Sequence, residues 1–232
     1  MKYKYIPVLL AMMLSACHIS SSGDDTSTNS DNTGSGTTNS TTTFPFASAV
    51  SAFMQASHNY NLSGVSGADT YTMQVSFTPG AQQTFEGHLS STSVMSKIIE
   101  KNGVVVGTSS VTEYFDVSPY TSWGTTSNGS YNVVAEQQPL PTSATVGHSG
   151  AVDTITAYTD STKFSVSAKT TETWSLESDT STTAWACINS TIIYTNDSST
   201  TTGAKCFKSD QSGNVSAMKF VVYINGINLT FK

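Results

Sequence analysis

Apolar and polar positions alternate most cleanly at the end of the chain, in SAMKFVVYINGINLTFK (216–232). Met218, Phe220, Val222, Ile224, Ile227, Leu229 and Phe231 fall on one side, and Lys219, Val221, Tyr223, Asn228 and Thr230 on the other. A period of two marks a strand with one face in a core. Asn225-Gly226 between the two halves is the preferred pair for a type I′ hairpin turn. That turn pairs Ile224 with Ile227, Val222 with Leu229 and Phe220 with Phe231. SKIIEKNGVVVG (96–107) has the same turn at Asn102-Gly103. Its faces are mixed, so the pattern fixes its pairing and not its orientation.

Elsewhere, short runs rich in Val, Ile, Thr, Tyr and Phe are broken by the turn signals TPG (78–80), SNG (127–129), YTDS (158–161) and QSGN (211–214). One stretch differs. FPFASAVSAFMQASHNY (44–60) places Phe46, Ala49, Val50, Phe53 and Ser57 at helical spacing, with Pro45 near the start. The expected fold is mainly β: a single antiparallel β-sheet meander of roughly nine to twelve strands with one N-terminal helix. The sheet closes as a sandwich, a barrel or a curved half-barrel. Residues 44–232 supply this β-rich domain.

The chain before residue 44 follows other rules. Lys2 and Lys4 precede an apolar run from Ile6 to Leu14, far shorter than the ~20 residues of a membrane-spanning helix. Residues 1–16 therefore read as a cleaved leader. Leu14-Ser15-Ala16-Cys17 resembles the lipobox of bacterial lipoproteins. That resemblance implies cleavage before Cys17, a diacylglyceryl thioether on its sulfur and an acyl chain such as palmitate on its amine. It also implies a protein held in the bacterial cell envelope by its lipid. His18 follows the cysteine, where an aspartate would resemble an inner-membrane retention signal, so the expected address is the outer membrane. Residues 18–43 are almost all Ser, Thr, Asn, Asp and Gly. They lack apolar surface to offset their ordering entropy and read as a disordered tether.

Charge narrows the function classes. The chain has no arginine; removing Lys2 and Lys4 with the leader leaves eight lysines against sixteen acids, a net charge of −8. Nucleic-acid binding and a polybasic membrane patch both need clustered cations, and neither is available. Ser and Thr occupy 74 of 232 positions, which suits the exposed faces of an exported β protein. With Cys17 lipidated, Cys187 and Cys206 remain as an even pair in an oxidising compartment. Both lie in strand-like sequence flanking the polar turn TNDSSTTTG (195–203), so a hairpin brings them opposite each other as a disulfide.

Candidate chemistry is sparse. Gly147-His148-Ser149-Gly150-Ala151 stops one glycine short of a nucleophile elbow, and its flanks are strands rather than a strand-to-helix turn. It reads as a turn. Glu86 and His88 share a strand face, half of an acid–base pair and more often plain surface. Tyr120, Trp123 and Tyr131 lie in a glycine-rich, loop-like region where exposed rings stack on a sugar or a partner, or plug the end of the sheet. Trp174 and Trp185 alternate with polar residues and read as core. No histidine spacing suits zinc and no cofactor motif occurs. Three readings follow in order: a non-enzymatic envelope lipoprotein that binds a partner or supports the envelope; a carrier of lipid or another apolar ligand, with Phe46, Val50 and Phe53 as one wall; and an envelope hydrolase. The second resembles periplasmic lipoprotein carriers in architecture.

Overall fold

A computed structural model describes residues 42–224 and 227–232. The leader, Cys17, the polar stretch after it and the Asn225-Gly226 turn lie outside the described residues. The described chain begins with β1 (Thr43–Pro45), α1 (Ala47–Met54), β2 (His58–Ser66), β3 (Asp69–Phe85), β4 (His88–Lys101) and β5 (Val104–Val117). It continues through β6 (Tyr120–Ser127), β7 (Ser130–Gln137), β8 (Ser143–Thr145), β9 (Ser149–Tyr158) and β10 (Val166–Ser178). It ends with β11 (Thr183–Tyr194), β12 (Thr200–Asp210), β13 (Val215–Ile224) and β14 (Ile227–Phe231).

Twelve of these strands form one antiparallel sheet in which each pairs with the next in sequence, β8 alone being skipped. The sheet's two outer strands then meet. Ser63 N–H donates to the Lys232 carbonyl at 3.2 Å, and Lys232 N–H returns a bond to the Ser63 carbonyl at 3.1 Å. This reciprocal pair is the hydrogen-bonded unit of an antiparallel ladder, and it brings the end of the chain after β14 against β2, so the sheet is nearly barrel-shaped. Gly64 permits the approach, because a Cβ there would sit 2.6 Å from the Thr230 carbonyl oxygen. The sheet thus curls nearly into a barrel, within the closures the sequence left open, and its first and last strands touch at this hydrogen-bonded pair.

Most of the side chains the sheet buries are apolar. Along β3, Tyr71, Met73, Val75 and Phe77 are buried and alternate with exposed Thr70, Thr72 and Gln74. The C-terminal hairpin has the expected register, Phe220 opposite Phe231 and Val222 opposite Leu229, with all four side chains buried. This polarity is the reverse of a barrel that crosses a bilayer. In the β4–β5 hairpin, the mixed faces resolve with Lys97 and Ile99 buried and Ile98 exposed.

Three local expectations differ from the structure. Thr78-Pro79-Gly80 is no turn: it lies inside β3, where the β3–β4 register slips between Gly80 and Gln83. The slip is a bulge that bends the hairpin, and the chain reverses instead at Glu86-Gly87, both at positive φ. α1 stops at Met54, so Ser57 lies beyond it and is exposed. Trp185 packs outside the main core, beside Cys187, Ala204, Cys206 and Val221. The odd positions of β11 face away from the lumen that Ala186 and Ile188 face.

α1 has eight residues and no side-chain cap, too little to persist alone in water. Packing holds it. Phe53 meets Phe77 at 4.9 Å and Phe207 at 4.6 Å, and Phe46 sets its ring edge against Trp174 at 5.3 Å. Ser51 Oγ donates to the Val117 carbonyl at 2.8 Å. Beside α1, β1 pairs with β8. The helix thus plugs the barrel at the end where the chain enters. Phe53→Ala is expected to lower unfolding free energy by about 3–5 kcal/mol, read by chemical denaturation.

Cys187 and Cys206 stand directly opposite in the β11–β12 register, their sulfurs 2.12 Å apart. A free-thiol assay on the denatured mature protein is expected to find none. Reduction is expected to lower stability by about 3 kcal/mol on the chain-entropy account; two titrating thiols in the untreated protein would reject the bond.

Candidate binding site in the barrel lumen

Strand alternation aims five charged side chains inward among the apolar ones. Lys97 comes from β4, Glu113 from β5, Asp153 from β9, Glu172 from β10 and Lys205 from β12. Each occupies a position where its neighbours two residues away are apolar or buried, as with Val111 and Phe115 around Glu113. Burying a charge is costly unless it is paired, so the partners of each decide what the lumen does.

Glu113 is well supplied. Tyr120, at the start of β6, donates its hydroxyl to Glu113 Oε1, and Lys205 Nζ reaches Oε2 at 3.4 Å from the opposite wall. Burial first, then the Glu113 carboxylate, holds the Tyr120 hydroxyl proton well above the ordinary phenol range. Glu172 accepts one bond from Ser190 Oγ at 2.5 Å. Its carboxyl is raised by burial, against the opposing pull of Ser190 and Lys205. Asp153, directly across the β9–β10 ladder from Glu172, is 6 % exposed and its Oδ1 has no hydrogen-bond partner. It is the one carboxylate oxygen in that condition among the described residues. Burial, then the charges of Glu172 and Glu113, push its carboxyl up to about 9.

The Glu113–Lys205 bridge divides the remaining space in two. On the plug side lies a cavity of about 210 Å³, walled by Glu113, Asp153, Glu172 and Lys205 and floored by Val50, Val152 and Ile188. Thr121, Gln138 and Pro139 also line it, and the last two are exposed, so this rim is the mouth. Behind the bridge a second cavity of about 60 Å³ is lined by Lys97, Phe220, Met95 and the same Glu113, Glu172 and Lys205. Lys97 lies over the Phe220 ring at 5.9 Å and makes no ion pair among the described residues. Burial and the neighbouring Lys205 lower its ammonium to about 8.

The residues singled out from sequence fall mostly elsewhere. Tyr120 and Trp123 are in strand β6, not a loop, and Tyr131 is in β7. Tyr120 is buried and reaches the site through its hydroxyl; Trp123 is spent on a stack with His88, centroids 3.5 Å apart. Of the helix stripe, Phe46 and Phe53 are packed core and Val50 alone lines the cavity. Glu86 and His88 do not join: Glu86 accepts from Tyr131 at 2.7 Å and pairs with Lys163 at 2.6 Å. Those contacts fold the β3–β4 hairpin tip over the outside of β5–β7, where Phe85 stacks on Tyr114. Gly124 leaves room for that ring, since a Cβ there would stand 2.7 Å from it. Ser149 opens β9 and is exposed, and His148 belongs to the preceding turn. The sequence reading missed Glu113, Asp153, Glu172, Lys97 and Lys205. The signal for them was a charge in phase with the apolar positions of a strand.

Asp153 carries a folded-state carboxyl above its unfolded value of about 3.9, so the native state binds the extra proton and stability falls as pH rises from about 4 to about 9. Asp153→Asn is expected to flatten that slope and to add roughly 1–3 kcal/mol at pH 8, because the folded state no longer has to hold that carboxyl protonated. Lys97 runs the other way: its penalty is present below about 8 and is relieved toward the unfolded value of about 10.4. Lys97→Met is expected to stabilise at pH 7 and to lose that gain by about pH 10. Urea unfolding of the full chain across this range reads both, and unchanged slopes would reject them.

No protein-family model matches the chain, and no curated protein or solved structure matches it.

Proposed function

We propose that the chain is an outer-membrane lipoprotein, anchored through Cys17, whose non-enzymatic β-barrel domain binds a small polar ligand in its lumen. The observation that carries the binding role is the 210 Å³ cavity with Asp153, whose Oδ1 has no hydrogen-bond partner, in its wall. Native proteins leave few buried polar atoms unsatisfied, and those few ask for a missing partner. The volume is about seven waters' worth at ~30 Å³ each, below the range typical for drug-sized ligands. It suits a metabolite of a few heavy atoms. The lipobox resemblance at Leu14-Ser15-Ala16-Cys17 and the polar outer face of the barrel support a domain held beside the membrane rather than within it.

An apolar carrier is the weaker reading. The expected wall of Phe46, Val50 and Phe53 is at most 2 % exposed, and the space that remains is charged. A hydrolase draws less support still, because Ser149, Glu86 and His88 lie in different places with other partners.

Cys17→Ser is expected to leave an unprocessed or soluble protein; its normal fractionation with membranes would reject the anchor. For the lumen, native mass spectrometry of the full chain, gently purified from its membrane, is expected to show a small-molecule adduct. Thr121→Trp, which blocks the mouth, is expected to lose it. A bare protein mass in both would overturn the binding role.

A further inference from the structure

The ligand's chemistry follows from what the outer chamber lacks. Three carboxylates, Glu113, Asp153 and Glu172, face it with one ammonium, Lys205. Lys205 is already committed to Glu113, and Glu113 also holds the Tyr120 hydroxyl. Lys97 gives Asp153 no help, since it lies in the inner chamber against Phe220. The donors near the mouth, Thr121, Ser122, Gln137 and Gln138, are neutral, and the Gln137 amide is bonded to the Ser122 carbonyl. Asp153 and Glu172 are therefore left without a paired cation, Asp153 only 6 % exposed, and both line a cavity that opens at Gln138 and Pro139. The floor of that volume is apolar: Val50, Val152 and Ile188.

From this arrangement, and resting on the luminal binding role above, we infer that the chamber is a site for a small primary amine. Its ammonium is held between Asp153 and Glu172, and a short hydrocarbon portion lies on Val50, Val152 and Ile188. An ammonium offers three donors and a point charge. It supplies the positive charge that Asp153 and Glu172 lack, and charge-assisted bonds of this kind are the strong ones. The hydrocarbon portion gains from leaving water at about 0.8 kcal/mol per buried methylene.

The empty site has one other way to satisfy Asp153, which is to protonate it. Burial and the facing Glu172 and Glu113 favour that proton up to about 9, with Lys205 opposing. Tyr120 stays neutral throughout, held by burial and by Glu113. Amine and proton therefore compete for one carboxylate. When the protonated amine enters at pH 7, the Asp153 carboxyl gives its proton to the buffer and the ammonium takes its place. No bond other than that O–H is broken.

The experiment is calorimetric titration of the full chain with n-butylamine, n-butanol and butyrate, in two buffers of different protonation enthalpy. The amine is expected to bind with release of about one proton, and its affinity to rise about tenfold per pH unit between about pH 6 and pH 8. The alcohol and the acid are expected to bind at least about tenfold more weakly. Asp153→Asn, which the unfolding measurement expects to be stable, should lose the amine preference and the proton release together. Butanol or butyrate binding as well as the amine would overturn the inference, as would undiminished amine binding by Asp153→Asn. A purified protein that carries a neutral or anionic adduct and ignores butylamine would remove the amine and keep the luminal site. A protein with no adduct that ignores all three probes would remove both.

Discussion

A twelve-stranded sheet curled nearly into a barrel encloses more space than its wall side chains fill. Eight strands already leave an interior that side chains just occupy, and the width grows with strand number. Every main feature of the molecule answers that constraint. Large rings take up volume from the wall: Phe77, Phe115, Phe207 and Phe231 are all fully buried. α1 and the residue before it enter one end and add Phe46, Phe53 and Met54. The Glu113–Lys205 bridge then spans the lumen from β5 to β12 and pins opposite walls together. What these devices do not fill is the chamber beside the plug.

The bridge deserves its place among them for electrical reasons. Ions inside a protein are costly when alone and close to neutral when paired with good geometry. Lys205 and Glu113 are paired, and Tyr120 completes the carboxylate. Asp153 and Lys97 are not so completed, and they flank the bridge on its two sides. The lumen is therefore asymmetric along its length, with Asp153 beside the outer cavity and Lys97 beside the inner one.

Much of the fold was legible in the sequence because strand alternation and turn chemistry are local. The hairpin about residues 225 and 226, the Asn102-Gly103 turn and the Cys187–Cys206 register all follow from patterns a few residues long. Thr78-Pro79-Gly80 misled because proline and glycine mark bulges as well as turns, and only the partner strand decides which. Trp185 misled because one face of β11 has its own small apolar cluster outside the barrel. Closure was out of reach: it rests on Ser63 meeting Lys232, and no local pattern at either end announces the other. The site was hidden for a related reason. Glu113, Asp153, Glu172 and Lys205 come from four separate strands, and only the curvature of the whole sheet gathers them. Each still left a trace, a charged residue at a position its strand otherwise reserves for the core.

The register also permits an order of assembly. Every pairing in the sheet except the seam joins strands adjacent in the chain or separated only by β8, so the meander can zip up hairpin by hairpin with little loop entropy to overcome at each step. The seam differs, because β2 comes first among the sheet strands and β14 last. Until β14 forms, β2 and every growing front of the sheet expose unpaired backbone, the condition that invites association with other chains. In such a sequential assembly, the vulnerable interval would last as long as the delay between the second strand and the fourteenth.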